Sequence, residues 1–239
     1  MTDHPTLAAL AADLASGRTT SRKLVEACLA KIDDPAGEGA RAFMHVDREA
    51  ALTAPTLEAL RELLENFDGC ALKQTATRLV FADGNPQARI MLVGEAPGRD
   101  EDIEGLPFVG RSGKLLDRMI GAIGLDRSKV YIANVIPWRP PGNRTPTPQE
   151  TQICLPFIRR QIELVDPDVL VTLGNPSTQA ILGTTEGIMR SRGKWRDYDT
   201  GKRTIRAIAT FHPAYLLRSP SYKRLSWQDL RAIAKVMAV

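Results

Sequence analysis

The sequence predicts an α/β protein: a central parallel sheet of four strands covered by helices on both faces, a three-layer α/β/α arrangement. Two observations predict it. Short apolar runs bounded by turn residues alternate with amphipathic helical segments. The loops of unusual composition (94–110, 137–148, 174–177 and 211–218) all follow ends of the expected strands. In open α/β sheets ligands bind beyond the carboxyl ends of the strands, so these loops point to a single site.

The elements follow in order. Residues 6–33 carry helical periodicity interrupted by "SGRTTS", where Gly17 reads as a stop and Thr20 or Ser21 as a new cap: a helical hairpin. "DPAGEGA" (34–40) is a loop, and 56–67 is a capped helix. "ARIMLVGEAPG" (88–98) is a buried strand entering a Gly-rich turn, and 115–125 is helical. "KVYIANVIPW" (129–138) is the second strand, followed by the Pro-rich loop "RPPGNRTPTP". A helix over 149–165 leads to the third strand, "PDVLVTLG" (167–174), and a short helix over 176–183. "TIRAIATFHPAYLL" (204–217) supplies the fourth strand and a turn, before a closing helix near 222–236. Residues 1–55 are thus expected to form an N-terminal helical extension, and 56–239 the main domain.

Composition sets outer bounds. The chain of 239 residues is 43% apolar and 25% charged, the profile of an ordinary globular protein rather than a disordered one. A net charge of +4 and a pI near 9.1 fit a polyanionic partner, a signal shared by many unrelated proteins. The N-terminus lacks a signal-peptide layout, and no apolar run reaches the ~20 residues of a membrane helix. Cys28, Cys70 and Cys154 are too few for a disulfide framework, so a reducing, cytoplasmic location and no membrane association are expected.

The densest loop is "GEAPGRDEDIEGLPFVG" (94–110). It matches no phosphate-binding glycine pattern, and its carboxylates would repel phosphate. As a metal site Asp100, Glu101, Asp102 and Glu104 offer only hard oxygens, without the spacing of a calcium loop. A solvated acidic loop is the plain alternative, but Pro107, Phe108 and Val109 form an apolar cluster better suited to a pocket wall. In "TFHPAYLLR" (210–218), His212 reads either as a core histidine or as a site residue at a strand end. Leu216 and Leu217 read either as core or as a wedge that fills the hole left by an extruded base.

Together "GEAPGRDEDIEGLPFVGRSGKLLD", "NVIPWRPPGNRTPTPQE" and "TFHPAYLLR", in this order, resemble the signature segments of bacterial family 4 uracil-DNA glycosylases, over roughly residues 66–236. The resemblance implies a uracil-DNA glycosylase-like fold and a monofunctional hydrolase that flips uracil from single- or double-stranded DNA and cleaves its N-glycosidic bond, opening base-excision repair. No lysine in the matching motifs suits lyase chemistry. By resemblance, Glu101 and His212 are catalytic, His212 donating to the uracil oxygen as negative charge grows. The role of Glu101 stays open among water activation, cation stabilisation and thymine exclusion. Phe108 stacks on the base, Asn134 reads its edge, and the backbone at Glu95 and Ala96 lines the pocket. Asn143, Arg144, Ser177 and Arg218 are expected at DNA phosphates, Leu216 as the wedge with Leu217 as the alternative. The remaining acids of the loop, Asp100, Asp102 and Glu104, are expected in solvent. A monomer is expected.

The chain departs from this family at the iron–sulfur cluster that most members carry on four cysteines. Cys70 is present in "CALK", but Lys73 stands in the second place, Trp138 in the third, and only Cys154 fits the fourth. No cluster and no metal are therefore expected, with the Trp138 indole filling the space. Relatives that become covalently trapped on uracil sites carry a basic insertion ahead of the His-Pro motif, and this chain has none, so turnover is expected over trapping or non-catalytic binding to uracil-DNA. Residues 6–52, through "LAADLASGRTTSRKLVEACLAKI", also resemble the leading helices of amidase-signature enzymes; the catalytic serine and lysine region of that family is absent, so no amide hydrolysis is implied.

Overall fold

The structure, a computed structural model, describes residue 51 and residues 53–237. The expected helical hairpin over 6–33, most of the 1–55 extension and the amidase-like segment lie outside the described residues.

Helix α1 (Leu57–Asn66) opens where Thr56 accepts the Ala59 amide, so its hydroxyl satisfies one of the free N–H groups of the first turn. A short α2 (Leu72–Thr75) precedes the edge strand β1 (Asp83–Gly84) and the buried β2 (Ile90–Gly94). Two helices follow, α3 (Arg99–Glu104) and α4 (Arg111–Gly121), then β3 (Tyr131–Asn134). Helix α5 (Pro148–Val165) starts on a capping box in which Thr147 and Glu150 exchange side-chain and backbone bonds. Next come β4 (Val169–Leu173), α6 (Asn175–Leu182), α7 (Ile188–Ser191), β5 (Trp195–Asp199) and β6 (Thr204–Thr210). Helices α8 (Pro213–Arg218) and α9 (Lys223–Met237) end the described chain. None of the described helices is long and apolar enough to cross a membrane.

The sheet order is β1-β3-β2-β4-β6-β5. The inner four strands are parallel, with Leu92 opposite both Ile132 and Val171, and Val171 opposite Ile208. These are the four expected strands. The two outer ones were not expected and run antiparallel. β5 escapes a search for apolar runs because "WRDYD" is an edge strand that stays half-exposed to exposed along its length.

Each inner strand divides its side chains between two cores. Met91, Val93, Tyr131, Ala133 and Leu170 pack with α1, α5 and α6; Ile90, Leu92, Ile132, Val169, Val171 and Ile208 pack with residues of α4, α8 and α9. That alternation is what makes three layers from strands apolar on both sides.

Strand β6, which leads to His212, is braced from behind by ions. Arg192 donates to Leu225 O and forks onto Asp229, which is 1% exposed and also accepts from the Thr210 hydroxyl at 2.7 Å. The guanidinium also lies over the Phe211 ring at 5.7 Å. Removing one partner leaves the other charge buried and alone. Asp229→Ala is expected to lower unfolding free energy by about 3–5 kcal/mol, read from the urea midpoint, whereas an exposed acid such as Asp126→Ala should shift it far less.

Candidate functional site

A cleft of about 330 Å³ opens at the carboxyl ends of β2, β3 and β6. β2 lies between β3 and β4, the place where the strand order reverses and where such sheets offer a crevice. Of the expected site residues, Glu95, Ala96, Glu101, Phe108, Asn134, Asn143, Arg144, His212 and Arg218 all line it.

The floor depends on close packing. A Cβ at Gly94 would stand 2.4 Å from Asn134 Oδ1 and 2.6 Å from the Phe108 ring, so only glycine lets β2 meet both. Asn134 ends β3, is 5% exposed, and its Oδ1 has no hydrogen-bond partner. A buried carbonyl oxygen without a donor costs about 1–3 kcal/mol, a cost that a ligand N–H would remove. Phe108 is buried with φ of 55°, in the left-handed region that a bulky residue enters at about 1–3 kcal/mol. Its ring lies 5.4 Å from the His212 imidazole.

His212 caps α8: its Nδ1 accepts the Ala214 amide at 3.1 Å. A neutral ring that accepts at Nδ1 carries its proton at Nε2, leaving that N–H as a donor. Burial, then the nearby charge of Arg218, hold the imidazole pKa down to about 4, so the ring is neutral at pH 7.

Glu101 has a defined position but little freedom. Its carboxylate accepts the amides of Gly98 (3.0 Å), Val109 (3.1 Å) and Gly110 (3.0 Å), capping α3 and holding the far arm of the loop. Such a carboxylate organises the wall of the cleft that it also lines. Glu95 lines the cleft too, and burial raises its carboxyl above the ordinary range. The sequence reading assigned Glu95 only a backbone role; the available signal was its place at the first residue after a buried strand.

Several expectations are corrected. Leu216 is 1% exposed and belongs to the core beside α4 and α9, so it cannot serve as a wedge. Leu217, the alternative wedge, stands exposed on α8. Ser177 is fully buried, its hydroxyl donating to Leu173 O and Gly174 O, out of reach of a phosphate. Asp102, expected in solvent, is buried and accepts from Thr77 N at 2.7 Å, Thr77 Oγ1 and Arg78 N, tying the loop to the segment before β1. At the rim, Arg144 makes a two-pronged pair with Glu150, which holds that carboxyl down to about 2. Asn143 Oδ1 accepts from Arg139. Arg218 has no ion-pair partner among the described residues and is the rim cation least engaged by the protein itself.

The positions of an iron–sulfur cluster do not fit one. Cys70 and Cys154 are buried side by side; the hydrogen bond from Cys154 lowers the Cys70 thiol and, with burial, raises Cys154. Lys73 turns its ammonium to Glu65 O and Asp68 instead. Trp138 is 1% exposed and stacks on Phe67, with ring centroids 6.3 Å apart, while Phe67 tilts against Phe157. Two thiols supply half of a four-thiolate set.

Comparison with known proteins places this cleft among relatives. The model of the uracil DNA glycosylase superfamily matches residues 81–231. The type-4 uracil-DNA glycosylase of Archaeoglobus fulgidus is 42% identical over 187 residues, 75% of this chain and 94% of that protein. The type-4 enzyme of Thermotoga maritima is 41% identical, covering 73% of this chain and 91% of its own. That of Sulfurisphaera tokodaii is 40% identical, covering 76% and 84%.

The site predicts a pH signature. In an NMR titration of histidine ring protons, the signal lost in His212→Asn is expected to titrate at about 4. A midpoint near the ordinary value of about 6.5 would contradict a neutral, buried ring. With the native pKa depressed, the unfolded chain binds the extra proton first, so stability should fall as pH drops from about 6.5 towards 4.

Proposed function

Because the chain belongs to the type-4 uracil-DNA glycosylases, we propose that this cleft receives uracil extruded from DNA and hydrolyses its N-glycosidic bond, without lyase activity. The observation that carries the reading is the unpaired, buried Oδ1 of Asn134 in a cleft that the Phe108 ring and the His212 imidazole also line. Uracil presents an N–H flanked by two carbonyl oxygens. The amide oxygen of Asn134 accepts the N–H, its NH₂ donates to one carbonyl, and the base lies on Phe108.

Cleavage breaks the C1′–N1 bond, and the bonding electrons leave with the base. The His212 Nε2–H, present in a neutral ring, donates to the uracil oxygen on which that charge gathers, a fixed dipole aimed at developing charge. Water supplies the oxygen that bonds to C1′ and releases a proton. Glu95, whose carboxyl is raised by burial, holds that water and takes the proton. Glu101 keeps the wall in shape through its three amides. Arg218 contacts a backbone phosphate next to the extruded nucleotide, which positions the strand without reading sequence. The described lining of the cleft contains no lysine that could form a Schiff base, which supports hydrolysis alone.

We also infer that the fold needs no cluster. The protein purified under reducing, anaerobic conditions is expected to be colourless, with iron and acid-labile sulfide far below cluster stoichiometry; stoichiometric amounts of both would overturn this.

The reaction is tested with an oligonucleotide bearing one uracil, treated with alkali after incubation. Strand cleavage after alkali, with turnover and none before alkali, is expected. Asn134→Ala and His212→Ala should each lower single-turnover excision by about 10²-fold or more. Tight binding without cleavage would assign a sensor instead, and unchanged excision in both variants would place the chemistry elsewhere.

A further inference from the structure

We propose that Arg127 is a positioning residue for base excision, holding the Phe108 peptide so that the ring faces the base. Arg127 lies outside the cleft, in the single helical turn Arg127–Lys129 that precedes β3. Its guanidinium reaches the back of the cleft wall. Nη1 donates to Pro107 O at 3.1 Å, and Nη2 donates to Phe108 O. Two carboxylates from different elements aim it: Asp83 on β1 at 2.5 Å from Nη1, and Asp117 on α4 at 2.8 Å from Nε.

The oxygen it grips is held tightly. A Cβ at Gly113 would fall 1.7 Å from Phe108 O, so helix α4 lies directly against that carbonyl. On the same peptide, the Val109 N–H is taken by Glu101. The Phe108–Val109 peptide is therefore fixed at its oxygen by a cation and at its N–H by an anion. Phe108 needs such a grip because its φ of 55° is one a phenylalanine leaves when released. Once the peptide rotates, the ring quits its place against Gly94 and His212.

An ion pair that merely stabilises the fold would act equally whether or not Phe108 is present, and this difference decides the test. The kinetic arm rests on the glycosylase reading above; the spectroscopic arm does not. Arg127→Lys keeps a cation for Asp83 and Asp117 but loses the fork to both carbonyls, and serves where Arg127→Ala folds poorly. In otherwise wild-type protein either variant is expected to slow single-turnover uracil excision about tenfold or more. In a Phe108→Ala background the same change should add little, a non-additivity that a general stability effect would not produce. Independently of activity, para-fluorophenylalanine installed at position 108 should give one fluorine resonance that moves or splits on Arg127→Lys. Equal losses in both backgrounds, or an unmoved resonance, would overturn the proposal. Absence of excision by the wild type would overturn the glycosylase reading, leaving the fluorine signal to decide the positioning role.

Discussion

One peptide group, between Phe108 and Val109, carries more of this site than its size suggests. The loop from Gly94 to Gly110 is buried over part of its length, yet most of it has no strand beside it to satisfy its N–H and C=O groups. Buried backbone groups are almost always paired, so side chains must do the pairing. Glu101 takes three amides, Asp102 takes two from the neighbouring segment, and Arg127 takes two carbonyls. Two of the loop's five carboxylates, Glu101 and Asp102, are thus turned inward as hydrogen-bond acceptors for the loop's own fold and its neighbours, while Asp100 and Glu104 stay exposed.

The sheet supplies the rest of the site with little adjustment. β2, β3 and β6 run parallel, so Glu95, Asn134 and His212 arrive at one edge from segments far apart in the chain. Burial then sets their chemistry. It keeps His212 neutral, leaving an N–H at Nε2, and it raises the Glu95 carboxyl above its ordinary range. Two titratable groups in one low-dielectric pocket are thus both shifted towards their uncharged forms, a neutral imidazole with its N–H and a carboxyl raised above its ordinary range.

The parallel framework was legible in the sequence because buried strands are short apolar runs, and "IMLV", "YIAN" and "VLVTL" have no other plausible reading between turn residues. Edge strands β1 and β5 were not, since one buried face or none leaves no such run. The same asymmetry holds at the site. Residues after the ends of β2, β3 and β6 do line one cleft, whereas the loop after β4 contributes none to it. Leu216 and Leu217 could not be told apart, because a one-residue step on a six-residue helix decides which side chain meets the core. Ser177 failed for a related reason: at a helix start its hydroxyl turns back to the preceding carbonyls. Arg127 belongs to no motif at all. Its work is visible only once Asp83, Asp117 and the 107–108 carbonyls are seen around it, contacts that span up to 44 residues of sequence.

At the positions where the resemblance would put cluster cysteines, packing and hydrogen bonds hold Cys70, Lys73, Trp138 and Cys154. In a cluster, four thiolates tie separate segments to one inorganic core. Here the segment around Cys70 and helix α5 meet through Cys154, while Phe67, Trp138 and Phe157 stack across the gap between α1, the loop after β3 and α5. A buried indole contributes its benefit through apolar area and contact, which needs no metal and no particular redox state. It also sits directly upstream of the Pro-rich loop whose Asn143 and Arg144 line the cleft, with Arg139 bridging to Asn143 between them. The buried indole anchors the start of that loop by dispersion and apolar area, while Lys73 turns to Glu65 O and Asp68.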